Sequence, residues 1–155
     1  MRRAHADSLF TRRTAVRAFV VILTLLPTML AAEMAGELGD RLERAYDAYR
    51  RDDLTTADRL FTDVLAVAPH LTEVWYNRGV VRYDLGRYED AVSDFTAAIE
   101  RDPTFAAAIF NRANAYFRLD RFEDAYEQYR RVLDIRDDPD AEHNVRVVEQ
   151  ILASQ

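Results

Sequence analysis

The side chains able to do chemistry are few in this chain, and they do not converge. Its three histidines are His5, His70 and His143. None has a partner at the i, i+4 spacing that sets two imidazoles on one helix face for zinc. Asp134, Asp137, Asp138 and Asp140 crowd one stretch. They lack the glycine and the alternating positions of a calcium loop, so they are expected to cap helices and make turns. Ser93 and Ser154 stand outside any nucleophile-elbow context, and no glycine-rich phosphate loop is present. Cysteine is absent, which removes disulfides and thiolate chemistry. The expectation is a chain with no catalytic residue, no metal and no cofactor, and not an enzyme.

What remains is amide and aromatic chemistry, and it recurs at a fixed interval. Asn77 and Asn111, whose amides offer both a donor and an acceptor, lie 34 residues apart. Ala57, Ala91 and Ala125 keep that interval, as do Phe61, Phe95 and Tyr129. So do Leu54, Tyr88 and Phe122, then Ala45, Gly79 and Ala113, then Val64, Ala98 and Val132. Pro69 and Pro103 share it, whereas the third copy has Asp137 there and Pro139 two residues on. Self-similarity at one period marks a repeat architecture, which must be recognised before any other fold is considered.

Each copy holds two amphipathic segments of about 14 residues joined by a short turn. The turns are Arg51-Asp52-Asp53, Leu85-Gly86-Arg87 and Leu119-Asp120-Arg121. Gly86 can adopt the left-handed conformation that ends a helix, and aspartate does so at modest cost. Small residues in the Ala45 and Ala57 columns let paired helices approach closely, and Pro69 and Pro103 close the second helix of their copy.

The middle copy reads Trp75-Tyr76-Asn77-Arg78-Gly79, then Leu85-Gly86-Arg87-Tyr88, Ala91, Phe95, Ala98 and Pro103. It resembles the tetratricopeptide repeat (TPR), with Arg78 and Arg82 where that motif commonly has leucine and tyrosine. The third copy keeps the frame through Ile109, Ala113, Tyr116, Ala125 and Tyr129, while the first has Arg41 in the tryptophan place. The resemblance covers residues 38–139 and implies an all-α fold. The expected form is an α-solenoid of three TPR helix pairs, about 38–71, 72–105 and 106–139, plus a C-terminal capping helix of about 140–153. Asp140 is the expected cap residue, and Val145, Val148, Ile151 and Leu152 are expected to cover the end of the stack. Trp75 and Tyr116 are assigned to the core, and the charged second helices to solvated faces with i, i+4 pairs.

In TPR proteins the first helix of each pair lines the concave side, where partners lie. By position the resemblance implies Leu42, Tyr46 and Tyr49 from the first copy, then Tyr76, Asn77, Val80 and Tyr83 from the second. The third supplies Phe110, Asn111, Asn114 and Phe117. Aromatics at helical spacing serve equally as core. The carboxylate clamp that holds acidic chaperone tails needs cations in the first and third repeats. Those places read Leu42, Tyr46, Ala107 and Asn111, and only Asn77 fits. An extended or helical segment with apolar anchors suits such a groove better. The implied function is a non-enzymatic adaptor or assembly factor for a protein or peptide. The alternative is a repeat stack that associates with itself.

Charge and leader add an address. Residues 1–32 carry five arginines and one acid, and the remainder keeps 16 basic and 26 acidic residues, a net charge near −10. An acidic body argues against nucleic acid, which needs a cationic face. Ala18 to Ala32 is an uncharged run of 15 residues between Arg17 and Glu33. It is shorter than the ~18 of a spanning helix and fits a signal-peptide core. Cleavage is expected at Ala32–Glu33, although Leu30 is large for that pattern, so a retained membrane anchor stays open. The expected location is the bacterial periplasm or the outer side of the inner membrane.

Overall fold

The structure is a computed structural model that describes residues 32–154. The leader and tether expectation for residues 18–32 lies outside the described residues except at Ala32. The chain divides into two units, Met1–Asp40 and Arg41–Gln155. Of the first, residues 32–40 are helical and almost wholly exposed. The second holds the second and third copies of the repeat and the first from Arg41 onward.

Every regular element among the described residues is an α-helix. Helix α1 spans residues 32–50. It is followed by α2 (Leu54–Val67), α3 (Thr72–Asp84), α4 (Tyr88–Arg101), α5 (Ala106–Arg118), α6 (Phe122–Ile135) and α7 (Pro139–Ala153). From α2 onward each helix packs chiefly on its neighbours in sequence, and α3 also touches α5. No described helix is long and apolar enough to cross a membrane.

The three turns within the pairs are built alike. Asp52, Gly86 and Asp120 have φ of 61°, 76° and 55°. The next residue's N–H reaches back five residues: Asp53 to the Ala48 carbonyl, Arg87 to Arg82 and Arg121 to Tyr116, at 2.8–2.9 Å. This is the Schellman closure, in which one left-handed residue lets the chain satisfy the last carbonyls of a helix and reverse.

The repeat columns form the core. Ala45, Ala57, Ala91, Ala113 and Ala125 are fully buried, with Phe61, Phe95, Tyr129, Val64, Ala98 and Val132 beside them. Gly79 marks the closest approach, because a Cβ there would stand 2.7 Å from Cε1 of Phe95. The glycine is required by that ring, not by its backbone.

Three expectations are corrected. First, the second helices are not simply solvated. Asp94 of α4 and Arg78 of α3 are buried, and a ladder of ion pairs grows from them. Arg82 bridges Asp94 and Asp58 at 2.9 Å each, and Arg87 continues from Asp58 to Asp90 at 2.7 Å each. The ladder knits α2, α3 and α4, so the two arginines at TPR core positions are matched by acids on facing helices. The i, i+4 pairs Arg59–Asp63 and Arg146–Glu142 are exposed and long, at 3.5 and 3.8 Å, and such pairs contribute little. Second, Trp75 and Tyr116 pack against the buried clusters but are themselves only half-buried. The indole N–H of Trp75 needs an acceptor and finds the Pro69 carbonyl at 2.9 Å, which holds the ring at the repeat boundary between the guanidiniums of Arg78 and Arg101. Arg121 stacks on Tyr116 at 4.4 Å. Third, α7 is capped by Asp138, which accepts from Ala141 N–H at 3.0 Å, with Pro139 in the first turn. Proline suits that position because its missing N–H has no helical partner there. Asp140 instead lies inside the helix.

Candidate functional site

Helices α1, α3 and α5 are the first members of their pairs, and hydrogen bonds join them directly into one face. The amide N–H of Asn77 on α3 donates to the Tyr46 hydroxyl on α1 at 2.9 Å. One repeat later, the amide of Asn111 on α5 donates to the Tyr76 hydroxyl on α3 at 3.1 Å. Beyond it Asn114 leans on Asn111, and the Tyr129 hydroxyl donates to Asn114 Oδ1 at 2.7 Å. At the other edge the Tyr49 hydroxyl donates to Asp84 at 3.0 Å. Each side chain is therefore held in one orientation before any partner arrives, which lowers the entropic cost of binding.

All ten candidates (Tyr46, Tyr49, Tyr76, Asn77, Val80, Tyr83, Phe110, Asn111, Asn114 and Phe117) are at least partly exposed. Several serve the core as well. Tyr46 packs edge-on with Phe61, Phe110 with Tyr129 and Phe117 with Phe122, while Tyr76 lies tilted against Phe95 and Phe105. A ring at this register has one side on the helix behind and one side to solvent. Tyr49 is the most open of them, 38% exposed.

Tyr46, Tyr49 and Tyr76 stay neutral. Burial raises the phenols of Tyr46 and Tyr76 above the usual tyrosine range, against the opposing hydrogen bonds from Asn77 and Asn111. Tyr49 is raised by burial and by its bond to the Asp84 carboxylate. These hydroxyls remain donors and acceptors throughout the physiological range.

A pocket of about 210 Å³ lies within this face. It is lined by Tyr76, Phe110 and Asn111 from α3 and α5, and by Arg136, Asp138 and Asp140 from the α6–α7 junction. Asp138 is fully engaged: one oxygen caps α7, and the other accepts from the Arg136 guanidinium at 2.7 Å. The Ala141 N–H and then Arg136 hold the Asp138 carboxyl below the usual range. The junction residues were not among the sequence candidates for this face. Only their clustering was visible, since a repeat pattern says nothing about where a junction loop folds back. Tyr129 was also missed, although it is the one hydroxyl in the Phe61 column.

No group of three or more His, Asp or Glu among the described residues is placed to hold a metal ion. The face offers aromatic rings, amides and a few carboxylates, which is the chemistry of recognition.

Known proteins agree with this architecture. The pattern that describes the tetratricopeptide repeat matches residues 42–104 and 76–142. The chain is 29% identical over 146 residues to mouse (Mus musculus) DnaJ homolog subfamily C member 7, covering 83% of this chain and 30% of that protein. It is 31% identical over 86 residues to the Protein SGT1 homolog of Oryza sativa subsp. japonica, 56% of this chain and 23% of that one. It thus spans under a third of the length of these relatives. Among solved structures, the first TPR domain of Spaghetti (RPAP3), bound to the HSP90 peptide SRMEEVD, superposes with a TM-score of 0.71. That match has 23% identity and covers 75% of this chain and 93% of that one. MamA superposes with a TM-score of 0.71 at 21% identity, covering 74% and 63%. With three copies in phase, seven helices among the described residues and a family match across most of the described chain, the protein belongs to the tetratricopeptide repeat family.

Proposed function

We propose that this chain is a peptide-binding adaptor or assembly factor that holds an extended or helical segment of another protein on the α1–α3–α5 face. The observation that carries the reading is the row of half-exposed rings and amides locked by the Asn77–Tyr46 and Asn111–Tyr76 hydrogen bonds. Aromatic groups held in place supply contact area with little further loss of entropy, and fixed amides orient a peptide backbone. The Spaghetti (RPAP3) domain of the same fold, with its bound HSP90 peptide, supports use of a TPR stack in this way.

The clamp positions argue for a different peptide. Leu42, Tyr46, Ala107 and Asn111 supply no cation where a terminal carboxylate would be held. The bound segment is accordingly read through apolar anchors and backbone contacts. The arginine-rich, apolar leader supports work in the cell envelope, periplasmic or tethered at the inner membrane.

The test is capture on the immobilised full chain from a lysate of the source cell, run beside Asn77→Ala/Asn111→Ala at matched helicity. A specific envelope protein held by the parent and lost by the variant is the expected result. Equal retention by both would move the site to the outer helices, and fractionation of an uncleaved chain to the cytosol would end the envelope reading.

A further inference from the structure

We infer that the pocket between α5 and the α6–α7 junction receives a lysine or arginine side chain, so that this chain selects basic segments. The inference rests on the peptide-binding reading above and specifies its partner. Its direction is opposite to that of the acidic HSP90 peptide on the Spaghetti (RPAP3) domain.

Three observations converge on it. The first is shape. The pocket is lined by two aromatic rings, Tyr76 and Phe110, against which the aliphatic stem of a long cationic side chain packs while its head meets the ring faces or the polar groups nearby. A volume of about 210 Å³ accommodates one such side chain.

The second is the local charge balance. One guanidinium and two carboxylates line the pocket. Arg136 gives Nε and Nη2 to one oxygen of Asp138, and the other oxygen is held by the α7 backbone. That leaves Asp140, exposed and in no ion pair among the described residues. An incoming carboxylate would share the half-exposed Arg136 with Asp138 while facing Asp140. An incoming cation breaks nothing and supplies the missing counter-charge.

The third is the wider field. The charges acting on Tyr46 and Tyr49 are carboxylates, Glu73 on the first and Asp84 and Asp52 on the second. Arg118 is stacked over Tyr88 at 4.4 Å and Tyr83 at 5.8 Å. Residues 33–155 together carry a net charge near −10, which attracts basic ligands and repels acidic ones over a Debye length.

The experiment pans the immobilised full chain against a displayed library of short random peptides, in parallel with Asp140→Arg and Asn77→Ala/Asn111→Ala. The selected consensus is then measured by fluorescence anisotropy. The expected consensus places lysine or arginine beside an aromatic or aliphatic residue and excludes aspartate and glutamate. Asp140→Asn should weaken that peptide about two- to fivefold, the scale of an exposed ion pair. Asp140→Arg should turn selection toward acidic peptides with the helical signal unchanged. An acidic consensus on the parent, lost in the asparagine double variant, would overturn the charge inference and leave the groove reading standing. A basic consensus indifferent to Asp140→Arg would overturn the pocket assignment alone. Recovery of no consensus would overturn both readings.

Discussion

Arg78 grips Asp94 through two parallel hydrogen bonds, Nε to Oδ2 at 2.9 Å and Nη2 to Oδ1 at 2.7 Å, with both side chains buried. One repeat later Arg112 occupies the same place and meets Gln128 where Arg78 has Asp94. Its Nη1 finds Thr96, as Arg78 finds Thr62, but its Nε has no partner. The first junction is therefore a closed ion-pair ladder, and the second holds a half-buried cation without its carboxylate.

Removing the acid from the closed junction should be severe. Asp94→Asn leaves Arg78 and Arg82 facing each other without their shared counter-charge, and breaking a buried pair costs about 3–5 kcal/mol. The drop should appear as a lower urea midpoint. Replacing the pair by Arg78→Met with Asp94→Leu should cost clearly less than either single change. A loss under about 1 kcal/mol for Asp94→Asn would mean that the pair is not desolvated as described.

Supplying the missing acid should help the open junction. Burial lowers the Arg112 guanidinium from its ordinary value, with Arg131 adding repulsion and Tyr116 and Glu100 opposing. Gln128→Glu keeps the shape and converts a neutral acceptor, 2.5 Å from Nη2, into a charged one. The gain should be about 1 kcal/mol, the difference between neutral and charge-assisted hydrogen bonds. Calorimetric melting of the parent and the variant at neutral pH checks it.

Gly79→Ala should destabilise the fold by about 1–3 kcal/mol, because its methyl would press on the Phe95 ring. Alanine is accepted at Ala45 and Ala113, so the cost reports this one contact and not helix propensity. Pairing the change with Phe95→Leu should recover part of the loss in chemical denaturation.

The face depends on the tyrosine–asparagine bonds for its order. Tyr76→Phe removes the acceptor of the Asn111 amide and should cost about 0.5–1.5 kcal/mol of stability. A double-mutant cycle with Asn111→Ala should give a coupling energy in the same range. Additive effects would mean that the bond does not form in solution.

Stability should fall at both ends of the pH scale for separate reasons. Asp138 titrates below the ordinary carboxylate value because Ala141 N–H and Arg136 favour its ionised form. Its contribution is present above the unfolded value, near pH 4, and is lost as pH falls through the lower folded one. Asp138→Ala should cost about 1 kcal/mol at neutral pH and flatten this acid limb. Tyr46, Tyr49 and Tyr76 are raised by burial. Their contribution is full below about pH 10 and is lost as pH rises beyond it. Amide hydrogen exchange along α7 and absorbance of tyrosinate follow the two limbs separately.

Much of this protein was written in one dimension. A period of 34 residues, small residues in two columns, and Gly86 or aspartate at each turn were enough to determine the helix pairs and the buried alanine seams. Those features depend on contacts between segments close in the chain, so local pattern carries them. The family resemblance likewise named candidate side chains on the first helices, because a repeat frame carries positions over from copy to copy.

Only the tertiary structure decided how charge is handled. Arg78 and Arg82 read as departures from the motif, and their partners Asp94 and Asp58 read as solvated acids. Which acid faces which arginine depends on how neighbouring helices are set side by side, and no single helix encodes that. The same holds for the α6–α7 junction, where Arg136, Asp138 and Asp140 fold back beside Tyr76 and Phe110 to complete a pocket. Trp75 is the smallest instance: its large ring argued for the core, and one indole N–H in need of the Pro69 carbonyl kept it at the boundary. Periodicity assigns residues to faces, whereas the satisfaction of buried charges and hydrogen-bonding groups depends on partners that are brought near only when the stack has formed.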